Sequence, residues 1–321
     1  MPRFELGSYV EAFILWLLQN AGALFDGIGA VITAVVEAVT VVFTAPPWWL
    51  WLALLVVLAL LVRGVGFAVF ALLGFALVSS FDLWTETMET FGLVLVAALI
   101  AAAIGVPLGI WAARSRAASR SLRPVLDTMQ TIPAFVYLIP VVLLFGIGVV
   151  PGIVATIVFS IAPAVRLTEL GIRGVDSEVV EAAHAFGAHP RQILREVQLP
   201  MALPSIMAGV NQVIMLALSM VVVAGLAGAD GLGTIVVSAV TQLDIAAGIE
   251  GGLAVVIVAI FLDRFTSALA DRPDSSLLAK LRARRATAPT ASTTAAPAAS
   301  SGAANRPAGA AGVAGVGAGA G

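Results

Sequence analysis

The chain offers few side chains able to do chemistry. It has no cysteine and only two histidines, His184 and His189. Thiol catalysis and zinc–thiolate sites are therefore excluded, and neither a histidine-rich metal centre nor a Ser-His-Asp triad is expected. Of the 17 basic residues only Lys280 is a lysine, and it lies in LLAKLRARR with no glycine-rich turn beside it. A nucleotide-phosphate loop needs both, so the chain is not expected to hydrolyse ATP or to hold a cofactor of its own. GADGLG at 228–233 has the glycines but no lysine after it, and reads as a turn. Two features remain. One is a charged island, EAAHAFGAHPRQILREVQLP at 181–200, set between long apolar stretches. The other is a set of polar residues inside apolar segments. Asn211, Met215 and Ser219 fall at i, i+4 and i+8 on one helix face, with Gln212 beside it. Thr131, Pro133 and Tyr137 form a looser set on an earlier segment, where Pro133 is also placed to kink the helix. Polar groups inside a membrane mark solute pathways by default; the bland reading is that Asn211 and Ser219 only bond a neighbouring helix.

These residues belong to a chain of 321 residues that is 60% hydrophobic and 11% charged, with a net charge of −2 and a mean hydropathy of +1.05. Soluble domains carry about 25% charged residues, so the composition points to a membrane protein. Its basic residues are too sparse for a nucleic-acid surface. The opening residues, MPRFELGSYVEAF, lack a basic stretch followed by an apolar core and a small-residue site, so no cleaved leader is expected.

The elements that must position the island follow from periodicity. From Val10 to Phe43 the large apolar residues recur every three or four positions, while Glu11, Asp26 and Glu37 collect on the other side. This predicts an amphipathic helix along a membrane face, broken near 27–29; the alternative is that 27–45 spans, with Glu37 facing other helices. Pro46 and Pro47 end it, and Trp48, Trp49 and Trp51 read as an interfacial anchor. Apolar sequence then runs to Val78, too long for one crossing of a ~30 Å core at ~1.5 Å per residue, so two short spans are expected to turn at Arg63. Further spans are expected at 92–113, 128–146, 148–165, 205–226 and 251–262. SSFDLWTETMETF is acidic, whereas RSRAASRSLRP carries Arg114, Arg116, Arg120 and Arg123. The positive-inside rule places the arginine loop and the island in the cytoplasm, and the acidic loop, GADGLG and the N-terminal helix outside. From 266 onward an Ala/Pro/Gly-rich tail is expected to be cytoplasmic and disordered.

The island reads as two short helices. Asp176 or Ser177 caps the first, with Glu178 and Glu181 near its positive end and Val179, Val180, Ala183 and Phe186 as its apolar side. Gly187 ends it, Pro190 fits the first turn of the second, Ile193, Leu194 and Val197 give that helix its stripe, and Leu199–Pro200 closes it. The product is either a solvated loop lying on lipid headgroups or a docking knob.

The pattern Glu181-Ala182-Ala183, Gly187, Ile193, Leu199-Pro200 resembles the EAA loop of ABC importer permeases. TIPAFVYLIPVVLLFGIGVVPG, RLTELGIR, QLPMALPSIMAGVNQVIMLALSMVVVAGL and GADGLG also look like the permease of glycine betaine/proline betaine importers. The similarity covers roughly 92–264; the N-terminal segment matches in kind only and the tail not at all. The resemblance implies an all-α polytopic membrane bundle of the type I ABC importer permease kind, with about seven spans plus the N-terminal amphipathic helix. Residues 1–47 would form that N-terminal segment, 48–265 the permease domain and 170–204 its coupling loop. The loop would dock Glu181, Ala182, Ala183, Gly187, Ile193, Leu199 and Pro200 onto an ATP-binding subunit, two copies of which carry the ATP and Mg. The other implied partners are an external substrate-binding protein and a second copy of the permease in a bacterial cytoplasmic (inner) membrane. The cargo would be glycine betaine or a related quaternary amine such as proline betaine, choline or carnitine. The predicted spans hold no aromatic cage for such a cation, which fits delivery by a binding protein. Asn211, Gln212, Met215 and Ser219, with Tyr137, would line the pathway between protomers. A rival reading is an ion-coupled secondary carrier using Glu37 or Glu250; it lacks an internal inverted repeat and leaves the island without a role. A membrane scaffold is a third reading, for which no specific feature argues.

Overall fold

Small residues decide how closely the long helices approach. In α4 (Trp84–Arg114), Gly105 and Gly109 lie one turn apart. A Cβ added at Gly105 would meet Ala164 Cβ at 2.7 Å, and one at Gly109 would meet Thr168 Cβ and the Val165 carbonyl at 2.6 Å. Both partners belong to α7 (Val149–Arg173), so the two backbones nearly touch, as small-residue seams allow in membranes. Gly171 of α7 repeats the arrangement against Ser205 of α10 (Leu199–Ser219). The structure, a computed structural model, describes residues 6–270. Among the described residues all regular structure is helical.

Helix α1 (Leu6–Thr44) bends at Ala21, not at the glycines of 27–29. The Asn20 side chain donates to the Trp16 carbonyl at 2.7 Å, competing with the backbone bond that would keep the turn regular. Near its C-terminal end Phe43 stacks on Trp51 and packs on Phe91, whereas Phe25 meets Phe145 edge-on. Between these contacts Ile32, Val36 and Val39 pack on Leu93, Val96 and Ala97, so the C-terminal third of α1 lies against α4. Helices α2 (Trp48–Arg63) and α3 (Val65–Ser80) form the expected pair. Gly64 joins them at φ +90°, ψ −168°, which side chains other than glycine's rarely allow.

Helix α5 (Arg116–Thr131) meets α6 (Ala134–Phe145) at 97° around Ile132–Pro133. The span expected at 128–146 thus takes in the last turn of α5 and all of α6, and α5 is an amphipathic helix with arginines on its open side. Helix α7 extends eight residues beyond the expected 165, to Arg173. After the island come α10, α11 (Val221–Leu226), α12 (Leu232–Gln242) and α13 (Ile245–Ala270). Helix α12 was not foreseen, and α13 is longer at both ends than 251–262. It takes residues 266–270 from the expected tail, the rest of which lies outside the described residues. Five helical stretches are long and apolar enough to cross a membrane (7–44, 84–114, 149–173, 190–219 and 245–268), and the bent α5–α6 pair can count as a sixth. Of the expected seven, the spans on α4, α7, α10 and α13 pass this test alone and the one on α5–α6 only as a bent pair; α2 and α3, at 16 residues each, are too short to pass, while α1, expected along the membrane face, does.

Candidate functional site

The island is built by local capping. Helix α8 (Ser177–Ala185) starts at Asp176, whose carboxylate accepts the Glu178 N–H at 2.9 Å. It stops because Gly187 takes φ +80°, which lets Gly187 N–H reach the His184 carbonyl at 2.9 Å and Ala188 N–H the Ala183 carbonyl at 3.1 Å. His189 caps the next turn, α9 (Pro190–Gln192): its Nδ1 accepts the Arg191 N–H, and the Gln192 side chain accepts the His189 N–H at 2.8 Å.

Leu199–Pro200 does not close this second helix. Residues Ile193–Gln198 form a π-helical turn in which the Leu199 N–H reaches back to the Leu194 carbonyl, and the chain continues helically into α10. The wider register and the place of Pro200 in the first turn of α10 absorb the missing proline N–H. The result is one helical rod over 190–219, and the expected start of the span at Ser205 moves back accordingly.

The rod turns Ile193 and Leu194 inward, and Leu194 packs with Ile172, Ala202 and Ile206. Helix α8 has no buried residue. Val180 and Ala183 are half-buried, but Glu181, Ala182 and Val179 are exposed. Phe186, expected on the apolar side of α8, projects outward and is 92% exposed. Periodicity assigned it to a face without telling whose core that face belongs to. Beneath the island lies a network that sequence reasoning missed. Glu169 accepts the Ser119 hydroxyl at 2.7 Å and pairs with Arg173 at 3.2 Å and Arg123 at 3.5 Å. Arg173 also donates to the Ala112 carbonyl at 2.8 Å, and Arg166 pairs with Asp127. The i, i+4 spacing of Glu169 and Arg173 in RLTELGIR was the available signal.

On α10 the proposed face divides. Asn211 turns to α13, donating to Asp263 at 3.1 Å and Ser267 at 3.3 Å and accepting from Thr266. Gln212, Met215 and Ser219 are exposed and extend the open stripe begun by Met201, Pro204 and Ala208. Tyr137 is not on that stripe; it packs with Leu138, Ala155 and Met220. Thr131 is exposed at the end of α5.

Residues 105–275 match the family described as the binding-protein-dependent transport system inner membrane component. The chain belongs to this family. This permease is 45% identical to the glycine betaine transport system permease protein OpuAB of Bacillus subtilis, over 83% of this chain and 94% of that protein. It is 48% identical to the glycine betaine/carnitine transport permease protein GbuB of Listeria monocytogenes, over 84% and 96%. With the glycine betaine/proline betaine permease ProW of Escherichia coli it shares 44%, over 82% and 75%. Its fold is that of the type I ABC importer permeases. A chain of the inward-facing MetNI methionine ABC transporter superposes with a TM-score of 0.53 at 22% identity, covering 59% of this chain and 94% of that one. The permease is thus a multi-pass membrane subunit of a transport system.

Proposed function

We propose that the permease forms the pathway of an ATP-driven importer for glycine betaine or a related quaternary amine and passes to it the motion of a separate ATPase. It works as a homodimer with two ATP-binding subunits, which hold the ATP and Mg, and takes cargo from an external binding protein. The island at 170–204 is the coupling loop and faces the cytoplasm with the arginines of α5. The acidic start of α4, the turn at 228–231 and α1 lie outside, in a bacterial inner membrane. The single observation that carries this reading is α8: it has no buried residue, presents Phe186 almost fully exposed, and joins α7 to the α10 rod. The cargo class rests on the names of the relatives. Nothing in the fold or among the relatives favours the ion-coupled carrier.

The test is uptake of labelled glycine betaine by proteoliposomes holding the permease co-purified with its ATPase, with binding protein added. ATP-dependent accumulation that stops when the ATPase is omitted is the expected result. Accumulation without ATP, driven by a proton or sodium gradient, would overturn the reading.

A further inference from the structure

A second feature lies on the other flank of the bundle, where α3 packs against α13. A groove of about 360 Å³ opens there, lined by Arg63, Gly66, Phe67, Phe70, Ile260 and Arg264. Both arginines are exposed. Among the described residues neither has a carboxylate within ion-pair distance; the neighbouring Asp263 is engaged by Asn211. The groove floor is apolar and firm, since Phe67 stacks on both Phe70 and Phe261.

The length of the α2–α3 pair sets the depth of Arg63. Sixteen residues in each helix reach about 24 Å, short of the ~30 Å hydrocarbon core. The Arg63–Gly64 tip therefore ends at or below headgroup level, where a guanidinium draws phosphates down to it. Arg264 stands on the same groove and offers a second cationic fork. Two guanidiniums above an aromatic and aliphatic channel match an anionic headgroup joined to acyl chains.

We propose that this groove holds one anionic phospholipid, its phosphate between Arg63 and Arg264 and an acyl chain along Phe67, Phe70 and Ile260. The site is independent of the coupling loop and of the cargo.

The experiment uses the full chain in mild detergent, delipidated and offered equal amounts of phosphatidylglycerol and phosphatidylcholine, with retained lipid read by mass spectrometry of the intact complex. Phosphatidylglycerol should be retained roughly ten-fold over phosphatidylcholine. Arg63→Gln with Arg264→Gln should abolish that preference, while Arg116→Gln with Arg120→Gln on α5 should keep it. Ile260→Trp, which fills the channel and leaves both arginines, should lose retention too. Excess inorganic phosphate should not displace the lipid. The proposal fails if the wild type shows no preference, if the groove variants retain it, if the α5 variant loses it equally, or if phosphate alone empties the site.

Discussion

At the residue scale, Phe186 and Gly187 separate docking from folding. Phe186 touches little of its own chain, so Phe186→Ala should leave the melting temperature of the purified permease unchanged. Affinity for the ATPase should fall about 30-fold, the ~2 kcal/mol of an interface anchor, as measured by titrating labelled ATPase onto permease in nanodiscs. At Gly187 an added Cβ would meet no atom within 4 Å, so Gly187→Ala costs only the backbone strain of φ +80°, about 1 kcal/mol. Membrane insertion should be normal and ATP-driven uptake reduced. Glu169 behaves differently because its side chain is only 10% exposed. Glu169→Ala leaves the buried Ser119 hydroxyl without its acceptor and two arginines without their carboxylate. Thermal unfolding in detergent should show a loss of about 2 kcal/mol, and Glu169→Gln a smaller one. Much of this detail was legible in the sequence: a short polar cap, an αL glycine and an N1 proline each announce a helix end by local chemistry. The outward aim of Phe186 and the turn of Asn211 toward α13 were not, because each depends on a neighbour that arrives from elsewhere in the chain.

At the element scale, the α4–α7 seam should be the least tolerant part of the bundle. Gly109→Val would drive a side chain into the Val165 carbonyl and Thr168, neither of which can move without shifting α7. We expect a large loss, about 3 kcal/mol or more, seen as failure to recover a monodisperse peak. Gly252→Ala on α13, where nothing lies within 4 Å, should be neutral or slightly stabilising by the same assay. The long spans were legible because apolar runs need no tertiary information. Helix α12 was missed because LGTIVVSAVTQ is short, uncharged and rich in β-branched residues, a pattern that fits several states. Leu199–Pro200 was misread as a stop because proline normally breaks a helix, and only the π-helical turn ahead of it removes the conflict.

At the scale of the whole molecule, the open stripe of α10 carries polar groups that lipid would not welcome, and a second protomer with a watery pathway would. The chain has no cysteine, so single substitutions can be labelled without background. Met215→Cys and Ser219→Cys should react with a water-soluble maleimide in reconstituted vesicles and slow when cargo is transported, whereas Leu99→Cys, exposed on the flank of α4, should stay unlabelled in lipid. Equal labelling of all three would remove α10 from the pathway.

The unbroken rod from Pro190 to Ser219 has a mechanical consequence. Thirty residues at ~1.5 Å each make a strut of about 45 Å, with the Gly187 elbow at one end and the Ser219–Met220 break at the other. About two thirds of the way along, it is pinned where Gly209 abuts α7 and Asn211 is tied to α13. Such a strut would act as a rocker arm with unequal arms: a tilt of about 5° about residue 210 would carry the Pro190 end about 2.6 Å and the Ser219 end about 1.2 Å in opposite directions. On the proposed function, a push on the island would be returned at the far end with reversed sign, with no flexible joint needed between them.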